Sequence, residues 1–154
     1  MPDKIIEASW NPAQSLLNIR LAGIITNSDL EHWQRVIERA IDNITENTHF
    51  KLLLDERGYQ FENIDVHKKK REIIPLFTYH YGHILNVLSD DDVEILTAIT
   101  TSNPKKLHCN AVCMVHHDEV KMTELNKHFG SAKELYTHDF EYAQQWLNKL
   151  PGDG

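Results

Sequence analysis

A change of hydrophobic period between residues 15 and 58 constrains this chain more than any other feature. In "SLLNIRLAG" (15–23), Leu17, Ile19 and Leu21 alternate with Asn18 and Arg20, the two-residue repeat of a strand that buries one face. In the adjoining "TNSDLEHWQRVIERAIDNI", Leu30, Trp33, Ile37, Ala40, Ile41 and Ile44 recur at three- and four-residue steps, the stripe of a helix packed on one side. Ser28 and Glu31 have the spacing of a capping box and are expected to open that helix. "FKLLLDERG" (50–58) is then a short apolar run ending in charge and glycine, as expected of a central parallel strand covered on both faces. Strand, helix and covered strand make a unit of an α/β sheet with right-handed crossovers.

The flanking segments extend this unit. "KIIEAS" (4–9) precedes a turn at Asn11 and Pro12 and is expected to form an antiparallel hairpin with the alternating strand. Residues 62–88, "ENIDVHKKKREIIPLFTYHYGHILNVL", look helical at both ends but contain Pro75. Proline lacks an amide donor and clashes with the preceding turn, so the helix is expected to end or kink near Ile74 and restart. Ser89 and Asp92 cap a further helix, "DDDVEILTAIT". "HCNAVCMVHHDE" (108–119) contains the next strand. It is followed by a helix, "EVKMTELNKHFG", with Met122, Leu125 and Phe129 on one side and Gly130 at its end. "AKELYTH" is a short strand, and "DFEYAQQWLNKL" is a helix burying Phe140, Ala143, Trp146, Leu147 and Leu150. The expectation is one α/β domain over residues 1–150, a mixed sheet of about five strands with packed helices, and a tail over 151–154.

A chain of 154 residues suits a single domain. Its net charge of -7 argues against a surface built to neutralise phosphates, so nucleic acid is not an expected partner. "MPDKIIEASW" carries early acids and no long apolar run, and no stretch reaches the roughly 18 apolar residues that a membrane span needs. A cytoplasmic protein with its two cysteines reduced is expected.

The order of elements resembles the SpoIIAA-like family, related to the STAS domains of anti-sigma factor antagonists and similar in shape to SEC14-type lipid carriers. "LAGIITNSDLEHW" resembles the family's strand, glycine and capped first helix. "KLLLDERG" resembles its central strand ending in Asp55, "AVCMVHHDE" its apolar fourth strand, and "FEYAQQWL" its closing helix. The resemblance implies a STAS-like mixed sheet and brings no established catalytic residue. STAS phosphorylation switches carry a serine just after an aspartate at the helix following the central strand. Here Asp65 is followed by Val66, which cannot take a phosphate.

Several clusters invite a chemical reading. "HCNAVCMVHHDE" holds both cysteines and three of the ten histidines. If Cys109, Ala111, Cys113 and Val115 share one face of a strand, the two thiols stand about 13 Å apart at roughly 3.3 Å per residue. That exceeds the roughly 7 Å between α-carbons that a disulfide bridges, and the CxxxC spacing is not a zinc knuckle. His116, His117 and Asp118 lie where this strand leaves the sheet and are expected to edge a pocket. His80 and His83 have the spacing of one helix face and, with His67 or a carboxylate, would suit a metal. Asp55, Glu56 and Asp65 rim the carboxyl edge, where open α/β sheets gather ligands. No glycine-rich phosphate loop accompanies them.

These readings converge on a binding or regulatory module, not an enzyme, with no cofactor and no resident metal. Its expected ligand is a small apolar molecule or lipid held by Phe61, Ile74, Leu76, Phe77, Tyr79, Tyr81 and His116. Lys68, Lys69, Lys70 and Arg71 are expected at a headgroup or peripheral membrane surface, where each cation contributes about 1 kcal/mol. Two alternatives stay open: a protein-interaction module of the anti-sigma antagonist type, using the first helix and the sheet edge with a regulatory partner or a second copy, and a metal-dependent enzyme using His80 and His83.

Overall fold

The hairpin, the capped helix and the covered strand are all present in the computed structural model, which describes residues 4–99 and 102–150. The strands are β1 (Ile5–Asn11), β2 (Leu16–Ile25), β3 (His49–Asp55), β4 (Tyr59–Phe61), β5 (His108–Val115) and β6 (Glu134–Thr137). They form a mixed six-stranded sheet in the order β1-β2-β3-β5-β6, antiparallel only between β1 and β2. β4 pairs in parallel with residues 23–25 at the far end of β2. At three residues it is too short to show a period. Gly58, with φ of 86°, turns the chain back so that its carbonyl accepts the Gly23 N–H at 2.9 Å.

The helices are α1 (Asn27–Asp42), α2 (Ile64–His80), α3 (Asp90–Thr97), α4 (Glu119–Phe129) and α5 (Phe140–Lys149). Every crossover from β2 to β6 steps the same way along the sheet, so right-handed connections place α1, α2 and α4 on one face. α5 follows the last strand and closes the other. On the first face Leu17, Ile19 and Leu21 of β2 and Phe50, Leu52 and Leu54 of β3 meet Leu30, Trp33, Ile37 and Ile41 of α1 and Val66 and Ile74 of α2. On the second, Leu16, Leu53, Cys113, Val115 and Leu135 meet Ala143 and Leu147, flanked by Phe140 and Trp146.

Four local expectations are corrected. The box that caps α1 is Thr26 with Asp29, not Ser28 with Glu31. β2 stays paired to β4 up to Ile25, so Thr26 is the first residue free to turn. α2 does not break at Pro75 but runs through it. A proline inside a helix costs about 3 kcal/mol, and here Ile74 and Thr78, both buried beside it, hold the two halves on one core. The helix stops instead at a Schellman turn, in which Gly82 (φ 85°) donates to the Tyr79 carbonyl at 3.0 Å and His83 to that of Thr78 at 2.9 Å. α3 ends at Thr97 rather than Thr100, and Thr100 lies outside the described residues, as do residues 1–3 and the expected tail at 151–154.

The fourth correction concerns β5. Phe50 pairs with Cys109 but Lys51 pairs with Ala111, so Asn110 is an extra residue in a β-bulge. Cys109 therefore faces the α1 and α2 layer, while Cys113 and Val115 face α5. The cysteines do not share a face, and both thiols are free and buried. Burial pushes each up to about 12, which keeps them protonated and unreactive.

Candidate ligand-binding site

Consecutive side chains of a strand point to opposite faces, and the two acids that follow the apolar run of β3 divide accordingly. Asp55 turns toward α5. Its carboxylate accepts Arg57 Nε at 3.0 Å and Nη2 at 2.8 Å, and Arg20 Nε lies at the looser ion-pair distance of 3.6 Å. The Arg57 guanidinium in turn lies 4.3 Å over the Phe140 ring of α5. Glu56 turns the other way, into a buried ion pair with Lys70 of α2. Lys70 Nζ also lies 4.7 Å over the ring of Tyr59. The β3–β4 turn is thereby tied to both helical layers.

Beside the Glu56–Lys70 pair, between the N-terminal ends of α2 and α4, lies a cleft of about 390 Å³. Tyr59, Gln60, Phe61, His67, His116, His117, Asp118 and Lys121 line it. One wall is aromatic: the His67 ring stacks on Phe61 at 4.4 Å, and its Nδ1 stands 3.1 Å from the Tyr59 hydroxyl. The other wall is the exit of β5. His116 Nδ1 accepts the Asp118 N–H at 3.0 Å and His117 Nδ1 accepts the Gly58 N–H at 3.1 Å, with the two rings stacked at 4.2 Å. Asp118 caps α4 by accepting the Lys121 N–H. Burial, seconded by His117, Lys121 and Lys70 against the opposing pull of Glu56, lowers His116 to about 4. His67 is lowered as well, first by burial and then by Lys70, Lys121 and Arg71. The charged groups that line the cleft are one carboxylate, Asp118, and one ammonium, Lys121.

The structure brings Phe61 and His116 into this cleft and places the other expected wall residues elsewhere. Ile74 is in the core, and Phe77 and Tyr81 pack on Phe50 at ring distances of 6.5 and 5.8 Å. Leu76 is exposed and Tyr79 half-buried. Because α2 is continuous, its apolar residues point around the helix and form no single wall. The basic run divides for the same reason: Lys68, Lys69 and Arg71 are exposed, whereas Lys70 is buried and cannot reach a membrane. Tyr59, Gln60, His67 and Lys121 are site residues that sequence reasoning did not assign to it. They come from three elements, and only the fold brings them together.

His80 and His83 are also parted, since the Schellman turn lies between them. His80 packs edge-on against Tyr81, while His83 turns inward to Glu134 at 3.1 Å. Glu134 also accepts the Tyr136 hydroxyl at 2.9 Å and the Asn86 N–H at 3.0 Å, so this buried carboxylate fastens the loop after α2 to β6. A second cleft of about 300 Å³ lies beside it, at the opposite edge of the sheet. Among the described residues no group of three or more His, Cys, Asp or Glu is placed to hold a metal ion, and no helix is long and apolar enough to cross a membrane.

No protein family, curated protein or solved structure matches this chain.

Proposed function

We propose that this chain is a binding or regulatory module with a STAS-like sheet, holding one small apolar or amphiphilic molecule in the cleft beside β4 without catalysis. The observation that carries the reading is the aromatic wall of Tyr59, Phe61 and His67 facing a polar wall across about 390 Å³, at the carboxyl edge where such sheets take ligands. The state of the histidines supports binding over chemistry. A backbone N–H can only donate, so the Nδ1 atoms of His116 and His117 are acceptors and each ring carries its proton on Nε2. Neither then offers the cleft a lone pair for proton abstraction. Native mass spectrometry is expected to show one small non-covalent adduct per chain, lost in Phe61→Ala. Protein free of any adduct, or an adduct indifferent to Phe61→Ala, would count against the cleft.

One observation favours membrane delivery of that molecule. Exposed Phe61 and Ile64 stand at the mouth of the cleft and the start of α2, and Ile64, Lys68 and Arg71 follow at the four- and three-residue steps of one helix face. An apolar tip flanked by cations suits an anionic lipid surface. The protein is expected to float with phosphatidylserine vesicles and to stay behind when Lys68, Lys69 and Arg71 are all replaced by glutamine. Flotation unchanged by that triple replacement would remove the membrane part and leave the cleft.

A further inference from the structure

The polar wall of the cleft is specified more narrowly than a general binding module requires. His116 is 91% buried, with a relative exposure of 9%, and its Nδ1 is committed to the Asp118 N–H. Its Nε2–H has no partner among the described residues and borders the cleft. Left open to the cleft, that N–H is available to a ligand oxygen without breaking any bond within the protein. His117, stacked on it at 4.2 Å, presents its own Nε2–H for the same reason.

We propose that these two imidazole N–H groups and the Lys121 ammonium recognise a carboxylate on the bound molecule, whose apolar body lies against Phe61 and Tyr59. This rests on the cleft being a ligand site. Two features select a carboxylate over a metal or a phosphate dianion. A metal bound at Nε2 needs that nitrogen deprotonated and Nδ1 protonated, and Nδ1–H would face the N–H of Gly58 or Asp118 head-on. A dianion would meet one unpaired ammonium, because Lys70 is taken by Glu56, and would also meet the Asp118 carboxylate. A monoanion needs one cation and a donor for each oxygen, which this wall supplies.

The test compares acids with their own neutral amides. 2-Naphthoate and 2-naphthamide, and decanoate and decanamide, are titrated into the full chain at pH 7.5, followed by calorimetry and by the ¹⁵N signals of His116 and His117. At least one acid is expected to bind about tenfold more tightly than its amide. Lys121→Gln should remove most of that difference without weakening the amide, and both rings should report Nε2–H in the free and bound protein. Acid and amide binding equally well would overturn carboxylate recognition while leaving the cleft reading in place. No shift of the cleft signals by any of the four compounds would overturn both. The aromatic and aliphatic pairs separate a ring-bearing acid from a fatty acid.

Discussion

Lys70→Ala is expected to lower the unfolding free energy by about 3–5 kcal/mol, because it strands the Glu56 carboxylate in the interior without its partner. The magnitude follows from desolvation. An exposed pair would contribute less than about 1 kcal/mol, but both of these side chains are almost wholly withdrawn from water. Charge, not volume, is the cause, so Glu56→Gln combined with Lys70→Met should recover most of the loss, and urea unfolding of the parent and the two variants measures it. A single Lys70→Ala variant within about 1 kcal/mol of the parent would show that the pair is solvated. Since Lys70 also lies over Tyr59, the aromatic wall should loosen with it, and ligand binding should fall in the single variant.

Trp33→Ala is the second large effect, at about 3–5 kcal/mol. Trp33 is fully buried at the centre of the α1 stripe, within the larger core cluster on the α1 face of the sheet. Its Nε1–H is buried with no partner among the described residues, so part of what the indole contributes is offset by an unmet donor. Trp33→Phe, which removes that donor and keeps a ring, should therefore cost less than half as much as the alanine change. Equal losses for the two would mean that the indole finds an acceptor in solution. Denaturation midpoints at constant slope are the measurement.

The first half of the fold was legible because its elements differ in period. Alternation in β2, a stripe in α1 and an unbroken run in β3 cannot be exchanged for one another. What misled was local chemistry with two solutions. Thr26 and Asp29 form as good a box as Ser28 and Glu31, and only the end of β2 pairing decides between them. Pro75 obeys the rule that prolines disrupt helices until the packing of Ile74 and Thr78 is counted. The basic run read as one surface, although a helix turns about 100° per residue. Its one buried member was signalled, for Val66, Lys70, Ile74 and Thr78 are spaced four apart and all are buried. The cleft was legible only in part, at Phe61 on the aromatic wall and at the exit of β5 on the other. His116 follows directly from a strand and marks its exit, whereas Tyr59, His67 and Lys121 belong to β4, α2 and α4, and no spacing along the chain relates them.

The bulge at Asn110 sets the phase of everything after it in β5. Leu107 and Cys109 face the α1 and α2 layer on odd numbers, and beyond the bulge Val112 and Met114 face it on even ones. Carried to the end of the strand, that offset delivers His116 to the cleft and Val115 to α5. Were Asn110 kept but paired in regular alternation, the same strand would present Val115 to the cleft and turn His116 into the apolar layer beneath α5. The bulge acts as a one-residue key: it leaves the composition of the strand's exit unchanged and decides which of its side chains the cleft can use.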